Sequence, residues 1–460
     1  MYQPKHLLTK ELKKIVFILC GLSLMINLHT LKASATSAQN HTCLESREGD
    51  SKSFGISLAV DGDYLAVGDP EANRVVIYNR GADGNWQRIR EINPPRSSLA
   101  KKRGYGFGYE LAINNNILAI RSYDYKRSLE SRYVPNYQQT LGFETHSTSL
   151  ENSKISSLKK IKLPTLRDLP KSKIPDPQSF SRNFQNFTNR LLNRNFIELF
   201  VDSLEFLGND IVFFGKLKVS DEEYIIHLFL VNPITGEITN KIKGLDIKSY
   251  YENPNYDFSC PVNHLEIASD NDSLLIPVNP IISKEYWGYL VTESQDIEEI
   301  TLDQKAFEPL PPFENIRSFL SKVEISNNLI VTVVKSPPVM SGNIMLWQRY
   351  PRPSLVDVVD QHGLIDVQHS FVLISVFPKS KMRSGITSDY VFIQIDENKI
   401  TTQSKIRWER PIGDELYSYI GANGLIDSSS LLLSAYGTVV ALPIENLPSS
   451  YEIKNPHCRS

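Results

Sequence analysis

Short apolar runs along this chain come in pairs, each alternating apolar and polar positions and folded around Asn, Asp, Gly or Ser. The clearest pair is "FGISLAVDGDYLAVGDP" (54–70), which turns at Asp61-Gly62-Asp63. A second, "FGYELAINNNILAIRS" (107–122), turns at Asn114-Asn115-Asn116. Period-two alternation around such a turn predicts a β-hairpin, because side chains on a strand point to opposite faces in succession. Five fainter copies follow. They turn at Gly208-Asn209-Asp210, Asp270-Asn271-Asp272, Asn327-Asn328, His369-Ser370 and Asp427-Ser428-Ser429. The seven turns lie on average about 61 residues apart.

After most hairpins comes a third strand carrying an aromatic: "RVVIYNR" (74–80), "EYIIHLFLV" (223–231), "EYWGYLVT" (285–292), "NIMLWQRY" (343–350) and "DYVFIQI" (389–395). A fourth often follows, as in "NWQRIREI" (85–92), "GEITNKIKGL" (236–245) and "TTQSKIRWE" (401–409). Four antiparallel strands repeated seven times predict an all-β fold, a seven-bladed β-propeller, with six or eight blades as alternatives. A sandwich or barrel would space its strands evenly without grouping them in fours. The expected blades are approximately 50–97, 98–195, 196–250, 251–310, 311–359, 360–411 and 412–458.

The string "RGYGFG" (103–108) imitates the start of an RNA-binding RNP1 strand. Its Phe107-Gly108 corresponds instead to Phe54-Gly55 of the first hairpin. Gly108 and Glu110 also stand where RNP1 wants a β-branched and an aromatic residue. Charge argues the same way. The chain holds 50 Lys+Arg and 52 Asp+Glu, and the first 35 residues take five lysines and one glutamate of these. The rest is mildly acidic, which disfavours nucleic acid as a partner.

Those first residues have the order of a secretory signal peptide: lysines, a 14-residue apolar run over Ile15–Leu28, then Ala33-Ser34-Ala35. The run is short of the roughly 20 residues that a spanning helix needs. The expectation is a leader over 1–35, an exported propeller over 36–460 and no integral membrane span after cleavage. A retained membrane anchor is the alternative.

Blade two carries an insertion over 150–195. Within 151–195 there are ten Lys/Arg against three acidic residues. "SKISSLKKIKLP" is a candidate outer strand of that blade, and "LPKSKIPDPQ" a stiff linker. Phe180, Phe184, Phe187 and Leu191 then fall on one helical face. A packed helix and a basic arm meeting an acidic partner or a membrane surface are both open readings. Asn-x-Thr/Ser stands at Asn40, Asn186 and Asn271.

The exported part keeps Cys43, Cys260 and Cys458. Cys43 and Cys458 lie near its two ends, so a bond between them would join the termini and lock the ring. The ring itself needs a closing strand, either the one around Cys43 or "SYEIK" (450–454). No zinc-protease helix, nucleophile elbow or phosphate loop is present in the sequence. The densest metal-like group is Asp360, His362, Asp366 and His369. Strand alternation sends Asp366 and His369 to opposite faces, which argues against a site there.

Phe54-Gly55, Ser57, Ala59-Val60, Asp61-Gly62-Asp63, Leu65-Ala66-Val67-Gly68 and Pro70, with Val76-Ile77-Tyr78 and Trp86, closely resemble one FG-GAP repeat. That repeat is the blade unit of integrin alpha-subunit heads and of many exported microbial propellers. Phe107-Gly108 opens a fair second copy; later copies lack Phe-Gly, and Asp69 stands where the family usually has alanine. The resemblance implies a rigid, non-catalytic disc whose loops bind a protein or glycan at the cell surface or, secreted, in the periplasm or extracellular space. An exported polysaccharide hydrolase or lyase and a structural envelope component are the alternatives. Many blades of the family hold calcium in a longer Asp-rich loop. Here Asp61-Gly62-Asp63 is too short to supply six to eight oxygens, so no cofactor or metal is expected.

Overall fold

The computed structural model describes residues 42–44, 53–98, 101, 106–123, 143–151, 158–161, 204–218, 223–241, 247–250, 267–270, 272–277, 288–294, 296–302, 319–326, 329–336, 339–349, 354–360, 363–376, 388–396, 399–408, 423–435, 437–445 and 447–453. The expected leader over 1–35, Asn40, most of the expected insertion over 150–195 with Phe180, Phe184, Phe187 and Leu191, Asn186, Cys260, Asn271, Asn327, Asn328, His362 and Cys458 lie outside them. The described residues are almost wholly strand and pair into seven sheets. The chain is a seven-bladed β-propeller of antiparallel four-stranded blades.

The first strand, β1 (Thr42–Leu44), belongs to the last blade. Blade one is β2 (Leu58–Asp61), β3 (Tyr64–Asp69), β4 (Arg74–Arg80) and β5 (Trp86–Ile92). Blade two is β6 (Gly106–Asn114), β7 (Ile117–Tyr123), β8 (Phe143–Ser149) and β9 (Lys159–Lys160). Blade three is β10 (Glu205–Leu207), β11 (Asp210–Lys218), β12 (Glu223–Val231) and β13 (Ile238–Lys241), with β14 (Ile247–Tyr250) also pairing with β12. Blade four is β15 (Ala268–Asp270), β16 (Ser273–Pro277), β17 (Gly288–Thr292) and β18 (Ile297–Ile300). Blade five is β19 (Phe319–Ser326), β20 (Leu329–Ser336), β21 (Val339–Gln348) and β22 (Ser354–Asp360). Blade six is β23 (Gly363–Gln368), β24 (Phe371–Val376), β25 (Ser388–Asp396) and β26 (Lys399–Trp408). Blade seven is β27 (Asn423–Ile426), β28 (Ser430–Ala435) and β29 (Thr438–Pro443), with β1 as its fourth strand. The last strand, β30 (Ser450–Ile453), adds a fifth to blade six.

Apolar alternation builds the ring. On β4, Val75 and Ile77 enter the layer between blades one and two, while Val76 and Tyr78 enter the layer between blades seven and one. Leu65 and Val67 on β3 join the second layer and Ala66 the first. Middle strands are therefore apolar on both faces, since each face meets another sheet. Among the described residues the buried side chains fall into seven such clusters, one per pair of neighbouring blades. The first strands touch in cyclic order, β2 to β6, β10, β15, β19, β23, β27 and back to β2. They line the axis.

Ring closure falls to the strand around Cys43. β1 pairs antiparallel with β29, Thr42 opposite Ala441 and Leu44 opposite Val439. Leu44 is 1% exposed in the layer between blades seven and one, and the Thr42 hydroxyl donates to Asn85 Oδ1 of blade one at 2.9 Å. Cys43 is in a disulfide, whose other half lies outside the described residues. The "SYEI" strand does not complete blade seven. It runs parallel to β26, with Ile406 opposite Tyr451 and Trp408 opposite Ile453.

The paired Phe-Gly residues have a common role at two seams. Phe54 and Phe107 are buried between blades. Gly55 and Gly108 have φ of 85° and 82°. A Cβ on Gly108 would stand 2.7 Å from Val75 Cγ2, and one on Gly55 2.7 Å from Val439 Cγ2. Each carbonyl accepts a hydroxyl from the preceding blade, Gly108 from Ser57 at 2.7 Å and Gly55 from Ser434. Gly68 completes the contact, because a side chain there would strike the Gly108 carbonyl. Pro70 is buried against Gly106.

Leu44→Ala lowers unfolding free energy by about 2–5 kcal/mol in urea titration, the range for emptying a buried leucine site; a change below about 0.5 kcal/mol contradicts the closure. Gly108→Ala is strongly destabilising, whereas Gly62→Asn is tolerated, because Gly62 has φ of 54° but open space around it. Equal midpoint shifts for the two variants contradict this packing.

Candidate functional site

The two faces of the disc differ in what joins the strands. First-to-second and third-to-fourth links lie on one face and are short, as at 62–63, 115–116, 208–209, 81–85 and 232–237. The strand ends joined by second-to-third links and by blade-to-blade connections lie on the other. The chain segments between those ends include 124–142, 161–204, 251–267, 278–287, 301–318, 377–387 and 409–422. Long connections carried on a rigid scaffold are where binding groups concentrate.

Every blade places one carboxylate on its axial strand or directly after it, turned toward the next blade. They are Asp61, Glu110, Glu205, Asp270, Glu324, Asp366 and Asp427, and the direction of each follows from its cross-strand partner or contacts. Asp61 Oδ2 accepts the Asn116 N–H at 3.1 Å. Arg121 Nη1 donates to Glu110 Oε2 at 2.8 Å, and Asn115 Nδ2 of the same blade donates to Asn209 Oδ1 of blade three at 2.5 Å. Glu205 Oε2 accepts the Ser269 hydroxyl at 2.5 Å. Asp270 Oδ2 meets Arg349 of blade five at 3.4 Å. Beside Glu324, Ser326 Oγ accepts the His369 N–H at 2.6 Å. Asp366 Oδ2 accepts the Ile426 N–H at 2.6 Å. Asp427 pairs with Arg80 of blade one, whose guanidinium also lies 4.5 Å from the centre of the Trp86 ring. Each seam is thus tied near the axis by a polar contact, and most use one of these carboxylates.

The sequence reading missed this ring, although the signal is visible in the chain. Each first strand carries Asp or Glu within the few residues up to its turn. The acid sits at two heights, as in "YELAIN" against "VDGD", so no fixed spacing marks it.

Other predicted residues serve local structure. Asp61-Gly62-Asp63 forms the blade-one turn, with Gly62 at positive φ and Asp63 exposed. His369 sits exposed in the blade-six turn, apart from the Asp366 contact. No group of three or more His, Cys, Asp or Glu side chains able to hold a metal occurs among the described residues. Asp69, fully buried, accepts the Ser53 hydroxyl at 3.0 Å and pairs with Arg74 at 3.0 Å. That carboxylate fixes the link between β3 and β4 on the connection face.

A cavity of about 470 Å³ lies at the outer end of blade six, where β30 runs beside β26. Asp389, Lys405, Arg407 and Glu452 line it, and Arg407 Nε lies 3.3 Å from Asp389 Oδ1. Tyr451, in the same wall, has its phenol pKa raised by burial. The wall is charge-balanced and carries no arranged acid–base pair.

No protein-family model matches the sequence, and no curated protein matches it. Solved structures with similarity include a protein from Lactobacillus plantarum (8% identity, TM-score 0.39, covering 76% of this chain and 84% of that one). Another is a hypothetical selenium-binding protein from Sulfolobus tokodaii (10%, 0.37, 74% of each chain). A third is a putative 6-phosphogluconolactonase from Bacteroides fragilis (9%, 0.34, 75% and 82%). The blade count rests on the strand pairing above.

Glu110→Ala leaves the Arg121 guanidinium, 0% exposed, without its carboxylate. It is expected to cost about 2–4 kcal/mol, and the double variant Glu110→Ala/Arg121→Met to recover most of that. Additive losses in a urea double-mutant cycle contradict the pairing.

Proposed function

We propose that this chain is an exported, non-catalytic β-propeller of FG-GAP type that binds a protein or glycan through its connection face. The observation that carries the reading is the asymmetry of the disc: strand ends on one face are joined by short links, and those on the other by the longest segments of the chain. Support for the family reading comes from the Phe-Gly pairs of blades one and two. Each enters its seam with the same backbone conformation and the same serine contact.

The strands that carry these connections belong to a frame packed by seven buried apolar layers among the described residues, and binding groups concentrate on loops held by such a scaffold. Export is supported by the leader sequence. A bond from Cys43 to Cys458 would fasten the closing strand to the chain end, in keeping with an oxidising compartment.

The test is capture of surface proteins and glycans from native cells by purified protein with cross-linking. Replacing 251–266 or 409–422 by a Gly-Ser linker is expected to abolish capture. Asp63→Ala and Ile234→Ser, exposed on the short-link face, are expected to leave it intact. The opposite pattern overturns the assignment of the face, and turnover of a polysaccharide by the purified protein overturns the non-catalytic reading.

A further inference from the structure

The third strand of blade two is unlike its counterparts. β8 reads "FETHSTS", and Glu144, Thr145, His146, Ser147 and Thr148 are each at most 4% exposed. Third strands in the other blades, such as "RVVIYNR" and "TVVALP", fill the same place with apolar residues. Buried polar groups are normally hydrogen-bonded, and exceptions call for an explanation. Here His146 Nδ1, Ser122 Oγ and Thr145 Oγ1 are buried without a hydrogen-bond partner.

Strand register sorts these groups by seam. His146 lies opposite Ile120, and Glu144 opposite Ser122, so these three polar side chains face blade one, whereas Thr145, opposite Arg121, faces blade three. The imidazole meets the Phe107 ring edge-on, with centroids 6.1 Å apart. Lys160 lies directly across from His146 on β9 and bonds to Glu144. From blade one, Tyr64 packs on the same layer, and Arg90 lies opposite Ile77 of that layer. Asp61 occupies the far, short-link end of the seam, on the Asn116 N–H.

We infer that this seam is an acid-sensitive joint, closed while His146 is neutral and loosened at the connection-face end of blade two when the imidazole takes a proton. A cation there must leave water for a layer of Val75, Ile77, Ile92, Leu118 and Ile120, which is costly without full pairing. Glu144 is the nearby counter-charge, but it is already engaged by Lys160, which repels the imidazolium. Blade four has no comparable residue among its described strands.

The sign follows from burial. Desolvation holds His146 below its ordinary value of 6.5, opposed by Glu144 and assisted by Lys160. The unfolded or opened chain therefore binds the proton first as pH falls. The stabilising contribution is complete above about pH 6.5 and is lost as pH drops toward the depressed folded value.

The test is hydrogen exchange on the full chain at pH 7.5, 6.5 and 5.5, with rates divided by the intrinsic exchange rate at each pH. Protection of β6, β7 and β8 is expected to fall by up to about tenfold per pH unit below 6.5, while blade four stays unchanged. His146→Asn and His146→Phe are expected to flatten that dependence. An equal pH dependence in the variants, or equal loosening of blade four in the wild type, overturns the inference. A second readout needs no variant: in histidine-labelled protein, the His146 ring is expected to titrate below pH 6.5 by NMR. Titration at or above that value overturns it.

Discussion

Apolar contact between adjacent sheets is the interaction on which everything else rests. A sheet whose two middle strands are apolar on both faces is unstable in water until each face is covered, and a row of such sheets always leaves two faces open. Bending the row into a ring removes both ends. The seven buried clusters, each shared by two blades, are that solution written in side chains. Burial is non-directional, however, and does not by itself set the angle between neighbours. The axial polar contacts supply direction, because a hydrogen bond such as Asp366 to the Ile426 N–H is satisfied only at one blade spacing.

Closure divides the work between the two chain ends. Leu44 fills the last layer, while β1 covers the outer edge of β29. At the other end of the chain, β30 goes to blade six and covers part of the β26 edge. A free strand edge is a template for unwanted pairing, so each added strand also protects its blade.

The fold was legible because its repeat is physical as well as sequential. Alternation around a polar turn marked all seven hairpins, including those that lack Phe-Gly, such as "KVEISNNLIVTVVK". Two elements and one pairing were not legible. β8 escaped because Glu144, Thr145 and His146 give no apolar signal, and burial of a polar strand depends on what the neighbouring blade presents. β14 escaped because its pairing with β12 is tertiary. The choice between the Cys43 strand and "SYEIK" for closure was open in the sequence, since both alternate and both lie at a chain end. Of the candidate site, the hairpin turns were readable, whereas the carboxylate ring was not. Its members share a direction in space rather than a spacing in the chain.

The most direct test of the closed ring is urea unfolding of the full chain at pH 7.5, followed by pulse-labelling hydrogen exchange resolved by blade. A ring has no ends from which to fray, so all seven sheets should lose protection in one transition at one urea concentration. Stepwise loss that begins at blade one or blade seven and moves inward would mean an open stack, and would contradict the account.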